Sequence, residues 1–587
     1  GANNTAIGEV SLGANTTGAN NVAVGALVLD AATTANNNVG VGYNALGGNT
    51  TGEGNVGVGL NALANNFTAN ANVAVGRNCL LMNSTGTNLV AMGAYALDAN
   101  TTASNNTAVG YNSLSANTTG SENAAVGRKA MQENTTASNN SAFGNSALEQ
   151  NTTGQQNTAV GGNALDANTT ASNNTAVGYG SLTTNTTGAN NTAVGNSSLF
   201  QNTTASNNTA VGYAALDANT TGTRNTAVGA SSLDANTTAD HNTALGAFAL
   251  TSSTTADSNT AVGSSALEST TTGSNNTAVG RAALLSNTTG HTNTAVGAFC
   301  LDDNTTGQLN VAMGKNSMTA NTTGSTNTAI GTNTLENNTS GGNNTALGDG
   351  ALNANTNGGK NVACGRQTLV SNTTGDSNTA IGEDALSTQT TADKNTAVGS
   401  GAGKSVTTGT KNTFLGFEAG RNQVTTDHNQ LYIARASTGA ADPATFIYGN
   451  SNGACTQGNN SSSWTTTSDR RLKKDIVANT VGLSIIDNVT VKNYKYKQYS
   501  EGSPVTSDDT IDMSEFPNAD GVHQVYIGQG NTTTQIGIIA QELEAVAPNC
   551  VSTNEKGVKS VDTDELFWYM INAIKELSAK VTALEGK

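Results

Sequence analysis

The chain has 587 residues, of which 41 are Asp/Glu and 25 Lys/Arg, giving a net charge of −16 with only 11% charged residues. An ordinary soluble domain carries about 25%. That balance excludes the basic footprint of a nucleic-acid binder, and no run of about 18 apolar residues is present to insert into a membrane. With 36% apolar residues and 67 glycines, the chain is not a disordered polyelectrolyte either.

The opening Gly1-Ala-Asn-Asn-Thr-Ala-Ile-Gly8 shows neither the charged nor the apolar region of a signal peptide. It begins inside a repeat, which points to a fragment of a longer fibre. From Gly8 onward a glycine recurs every 17 residues (Gly25, Gly42, Gly59, Gly76, Gly93) without insertion or deletion as far as Gly399 and Gly416. Loops normally tolerate length changes, so a chain that forbids them over some 400 residues is stacking each copy on the one before.

The unit is close to N-T-A-V-G-x-x-A-L-x-x-N-T-T-G-x-N. A medium apolar residue precedes the glycine (Ile7, Val24, Met92, Val109, Phe143, Leu245). Leu, or Met at Met131 and Met318, follows four residues after it, until the pattern fades at Gly403 and Gly420. The short N-T-A-V-G segment is β-favourable and N-T-T-G is turn chemistry. The expectation is a mainly β protein: an elongated parallel β-roll or β-solenoid over 1–420, one coil per copy, with Val and Leu inward and Asn/Thr at the corners. Twenty-five coils at a rise of about 4.8 Å make a rod on the order of 120 Å.

Asn-x-Thr is the N-glycosylation acceptor, but an Asn locked to the repeat phase is better read as a ladder of stacked amides. Thr rows raise an ice-binding rod as an alternative; adjacent Thr16 and Thr17 would face opposite sides of a strand, which disfavours it. Aspartates recur too patchily for calcium repeats. Cys79, Cys300, Cys364, Cys455 and Cys550, like the four histidines, lie far apart, so neither a metal site nor a cofactor is expected.

The repeats resemble the N-T-A-V-G-Y-x-A-L units of phage-type tail fibres and surface adhesins, and are similar in kind to the head repeats of trimeric YadA-like adhesins. Asn412-Thr-Phe-Leu-Gly416-Phe-Glu-Ala-Gly420-Arg-Asn, followed by Asn429-Gln-Leu-Tyr-Ile433, resembles the usual exit from such arrays. The resemblance implies a homotrimer; periodicity alone equally allows a single-chain solenoid.

Residues 421–467 read as a β neck. From Ser468 to Lys587 charge density jumps, with 12 Lys/Arg and 17 Asp/Glu in 120 residues against 37 charged residues in the preceding 467. That shift marks a separate domain over 468–587. Its opening, Ser468-Asp469-Arg470-Arg471-Leu472-Lys473-Lys474-Asp475-Ile476, resembles the S-D-x-R-L-K-x-D-I signature of the self-cleaving intramolecular chaperone of endosialidases, tail spikes and tail fibres. Gly537-Ile-Ile-Ala-Gln541-Glu542-Leu resembles that family's G-x-I-A-Q-E segment. The polar stretch from Ser500 to Gln535 reads as an insertion.

The resemblance implies cleavage of Thr467–Ser468, with Ser468 as nucleophile and Lys473 as general base. A hydroxyl needs such a base, and Lys serves when burial or neighbouring cations depress its pKa; Arg470, Arg471 and Lys474 are close in sequence. On spacing alone, a solvated basic turn is the simpler reading.

The last segment carries Phe567, Met570, Ile574, Leu577, Val581 and Leu584 in steps of 3 and 4, a heptad seam. A single amphipathic helix satisfies that pattern; the resemblance implies a trimeric coiled coil. Together these expectations describe a structural fibre of a virion or an extracellular surface. Its partners would be two further copies of itself, other tail proteins and a host-surface receptor of glycan type. A non-viral adhesin is the alternative; a glycan-degrading spike, which needs two carboxylates in a cleft, is disfavoured because the repeats offer few acids and no non-repetitive catalytic domain.

Overall fold

Each N-T-A-V-G segment folds as a three-residue strand, from β1 (Thr5–Ile7) and β2 (Val22–Val24) to β24 (Thr396–Val398) and β25 (Thr413–Leu415). Consecutive strands pair in parallel with a constant offset of 17, as in Thr5↔Val22 and Val194↔Val211. The result is a parallel β-solenoid of about 25 coils, as the periodicity requires. This computed structural model describes residues 1–422, 425–435, 445–451, 455–457, 478–494, 535–553 and 559–586. They fall into two units, Gly1–Tyr448 and Gly449–Lys587.

The glycine spine has a steric cause. At Gly8 φ is +134°, and a Cβ there would lie 2.3 Å from the carbonyl oxygen of Gly25 on the next coil. No larger residue fits while the coils stay in hydrogen-bonding contact. The leucines four positions on also have left-handed backbone, for example Leu12 at +50° and Leu148 at +56°. That conformation costs an L-residue about 1–2 kcal/mol. Leu is kept because the turn aims its side chain into the centre of the coil, where Leu46, Leu148 and Leu216 are fully buried.

The strand residues reverse the expected facing. Alternation in a strand sends neighbours to opposite sides, and it is the alanine (Ala23, Ala108, Ala193) that points inward and is fully buried. The residue before the glycine points outward: Ile7 is 61% exposed, and Met92, Phe143 and Leu245 are exposed too. The coil is narrow. A turn leucine already fills its centre, leaving room for only a methyl group from the strand.

Two rows of asparagine run along the interior. In the Asn4 row, which Leu89 interrupts, the side-chain oxygen accepts the backbone N–H of the residue one coil on (Asn21 to Asn4, 2.9 Å), and the amide donates to a turn carbonyl (Asn21 to Ala35, 2.8 Å). In the second row, Asn100 Nδ2 donates to Asn83 Oδ1 at 2.9 Å and to the Ala103 carbonyl at 3.1 Å. These ladders satisfy buried polar groups that would otherwise be costly. Both amide hydrogens of Asn100 are committed, and the asparagines of this row, Asn49 to Asn236 among them, are buried as interior struts of the stack. Thr16 and Thr17 lie in a turn, outside any strand. The first hydroxyl of the pair donates to the next coil (Thr16 to the Thr33 carbonyl, 2.9 Å).

Where the leucine row ends, the core is rebuilt. Phe414 takes the inward strand position held elsewhere by alanine, and its ring occupies the volume opposite Gly403 and Gly420. A Cβ at either glycine would fall 2.7 or 2.5 Å from that ring. Tyr432, on β26 (Leu431–Ala434), stacks on Phe414 with ring centroids 5.8 Å apart, and β26 pairs with β25 at an offset of 18.

Strand β27 (Thr445–Gly449) ends the first unit, and the second holds β28 (Cys455–Gln457) and helix α1 (Leu483–Ile486). A hairpin-like pair follows, β29 (Lys492–Tyr494) antiparallel to β30 (Gln535–Gly537), then α2 (Ala540–Val546). A second antiparallel pair, β31 (Val551–Thr553) and β32 (Lys559–Val561), leads into the long helix α3 (Thr563–Glu585). Leu543, Ala547, Cys550 and Leu566 form its buried centre.

Candidate functional site

The outward row of the solenoid is the first candidate surface. From Ile7 through Val24, Val41 and Val58 to Val398 and Leu415, every coil presents Val, Ile, Leu, Met, Phe or, once, Cys364. No charged or amide side chain interrupts it, and no member is buried in the single chain. Outward threonines two residues earlier, such as Thr192 and Thr209, flank the row on the same sheet face. Continuous apolar surface on this scale marks an interaction site.

Helix α3 presents a second such surface. Asp562 caps it, its side chain accepting from the backbone N–H groups of Asp564 (3.0 Å) and Glu565 (3.2 Å), and acids in the first turn suit the helix dipole. Leu566 and Ala573, seven residues apart, are buried. Gly482, just before α1, lets the two segments touch: a Cβ there would lie 2.3 Å from the Ala573 nitrogen. The heptad seam is rotated one residue from that stripe. Phe567, Met570, Ile574, Leu577, Val581 and Leu584 are all exposed, Leu584 at 72%. The helix thus uses one face for its own unit and leaves a second apolar face uncovered.

Of the motif residues, Gly537 ends β30, while Gln541 and Glu542 stand exposed in the first turn of α2. The Glu542 carboxylate pairs with Lys492 of β29, and Glu544 accepts from Lys559 of β32 at 2.6 Å. The segment that resembles G-x-I-A-Q-E therefore runs from the end of β30 into α2 and is tied to β29 by the Glu542–Lys492 ion pair, with Glu544 just beyond it tied to β32. Thr467, Ser468, Asp469, Arg471, Leu472, Lys473, Asp475 and Ile476 lie outside the described residues.

The cysteines have a packing role. Cys79 and Cys300 replace the small inward residue before the leucine, each thiol 3.2 Å from a strand carbonyl. Burial pushes both thiols up to about 12. Ser113 makes the same contact with its hydroxyl at 3.0 Å. Among the described residues no cluster of His, Cys, Asp and Glu could hold a metal ion, and no helix is long and apolar enough to cross a membrane.

These features join a stacked β-array to a small α+β unit ending in an uncovered heptad helix. Residues 468–552 match the family model described as chaperone of endosialidase. The match begins at Ser468, where the charge density of the sequence changes, and includes β29 to β31 and α2. A tail-spike or tail-fibre type of structural protein is the class such a pairing suggests. No curated protein and no solved structure matches the chain.

Sequence reasoning missed the outward direction of the apolar row. The signal was present in the Ala (Gly40 and Gly57 in two copies) between the outer strand residues: a position kept small in every copy up to Ala397 marks the crowded side of a strand.

Proposed function

We propose that the chain is one strand of a homotrimeric fibre on a virion or another extracellular surface, assembled in register by its C-terminal domain and then released from it. The observation that carries this reading is the uninterrupted outward apolar row, which a single chain leaves in water on coil after coil. Three copies brought together along that row would bury it, and the α3 seam would close as a coiled coil at the C-terminal end. An array of near-identical coils can pair out of phase by any multiple of 17, so a terminal clamp is needed to set the register. The domain boundaries in this reading are 1–420 for the stalk, 421–467 for the neck and 468–587 for the chaperone.

Cleavage would follow assembly. The Ser468 hydroxyl attacks the Thr467 carbonyl carbon while Lys473 accepts its proton; the amide C–N bond breaks and the Ser468 nitrogen leaves as an amine, giving an ester. Water then hydrolyses the ester, leaving a Thr467 carboxylate and a free Ser468 terminus. With the clamp removed after assembly, unfolding of the fibre would become kinetically hard. The mature fibre would attach to other tail proteins and meet a glycan on the host surface.

Intact mass of the wild-type chain beside Ser468→Ala tests the processing step. A wild-type product beginning at Ser468, absent from the variant, is expected; an uncut wild-type chain removes the protease from the account.

A further inference from the structure

The row that begins each turn, one residue past the spine glycine, differs in chemistry from every other outward row. Between Ala26 and Thr332 the chain carries 14 Asp/Glu and six Lys/Arg. None of those acids falls in this row, whereas four of the six bases do: Arg77, Arg128, Arg281 and Lys315; outside that stretch the row also carries Glu9, Asp349 and Glu383 beside Arg366, so the basic track is confined to the coils between Ala26 and Thr332. The acids gather on other corners, in the rows of Asp166 and Asp240. The same base-bearing row holds Tyr43, Tyr111, Tyr179 and Tyr213, all exposed, the last two at 63% and 64%.

Their spacing follows the coil. Tyr43, Tyr111 and Tyr179 are four coils apart and Tyr213 two coils further, hence about 19, 19 and 10 Å along the stack. The Tyr179 ring lies back along the row over Gly162, where a Cβ would stand 3.4 Å from it. The rest of the ring is open to solvent, Tyr179 being 63% exposed. The bases are held in place too: Arg77 stacks on Tyr95 at 4.7 Å and Arg281 on Phe299 at 4.2 Å from the ring centroid. Asn145 and Asn196 fill intermediate positions with exposed amides.

We propose that this row is a binding track for a linear acidic glycan. Exposed tyrosine rings, of which Tyr111 already meets Tyr95 edge-to-face at 6.1 Å, would pack on the C–H faces of sugar rings at intervals of two coils or multiples of it. The arginines between them would take carboxylates, their planar guanidinium matching that geometry. The net charge of −16 and the acidic neighbouring corners work against long-range attraction of any polyanion, so attachment has to come from the local tyrosine and arginine contacts, and the rings of a glycan supply the apolar C–H faces that the tyrosines need. The inference rests on the fibre reading only in locating the glycan contact on the stalk; one spine glycine separates the track from the apolar row reserved for the other copies.

The test is retention of the full chain on immobilised alginate, a polyuronate, beside dextran and single-stranded DNA. Tyr179→Ser/Tyr213→Ser and Arg77→Gln/Arg128→Gln are compared with wild type, and native mass is recorded for each. Expected is retention on alginate alone, weakened about tenfold or more in each double variant, the scale of one or two lost stacking or charge contacts, at unchanged native mass. Absence of alginate retention, equal retention of all variants, or equal binding of DNA would overturn the track. A fall in native mass of the tyrosine variant would overturn it as well, by assigning the row to contacts between copies. Failure with assembly and cleavage intact removes the track and leaves the fibre.

Discussion

At the scale of single residues, the interior is a set of one-dimensional ladders, and the informative positions are where a ladder breaks. The second asparagine row runs by side-chain hydrogen bonds from Asn49 to Asn236 and is then interrupted by Ser253 and Thr270. Asn236 Oδ1 and Ser253 Oγ are buried there without a hydrogen-bond partner. Ser253→Asn would donate to Asn236 and to the Ala256 carbonyl, as its neighbours do. It is expected to stabilise the stack by about 1 kcal/mol, read as a higher unfolding midpoint; a lower midpoint would mean the coil has closed around serine.

The acid row on the turn predicts an unusual pH response. Burial, the leading cause in each case, raises Asp98, Asp166, Asp217, Asp234 and Asp302 above the ordinary carboxylate range. Asp302, with Asp303 beside it, reaches about 6. A carboxyl raised in the folded state binds its proton more tightly there than in the unfolded chain. The penalty is therefore full above the folded value and disappears as pH falls through it towards 3.8. Thermal melts from pH 7.5 to 5 should show the stack gaining stability, and Asp302→Asn should flatten part of that slope while raising stability at pH 7.5.

At the scale of the element, sequence reasoning recovered the period, the strand and the turn, because each has a local cause in β-propensity and glycine. It could not orient the strand, since Thr-Ala-Val alternates equally well either way. What decides is coil width, fixed by left-handed leucines that propensity would not place in a turn. The exit of the array was visible in the sequence as a loss of leucine at Gly403 and Gly420 and as the resemblance of the stretch 412–433 to the end of such arrays; its physical cause is Phe414, which fills both spaces from the strand. Phe414→Ala should cost about 3–5 kcal/mol, seen as early exchange of backbone amides around β24 to β26. A Gly212→Ala change should open the array in its middle, because the added Cβ would meet the Gly229 carbonyl oxygen at 2.4 Å. Limited proteolysis near that coil would report it.

At the scale of the whole molecule, the sequence carried the candidate site unevenly. Two short motifs and a heptad pattern pointed to the C-terminal domain, and the family match over 468–552 agrees with them. The lateral surface was hidden, since its residues had been assigned to the interior. Val177→Lys/Val194→Lys/Val211→Lys separates the two assignments. These side chains are partly exposed in one chain, so its circular dichroism should be preserved while the dissociation temperature of the assembled species falls. A lysine at Ala193, which is fully buried, should instead disrupt the coil itself.

The most direct test of the central claim is the native mass of the purified wild-type chain at micromolar concentration. The account predicts three copies. A monomeric mass would contradict it, leaving a single-chain solenoid whose outward apolar row faces water.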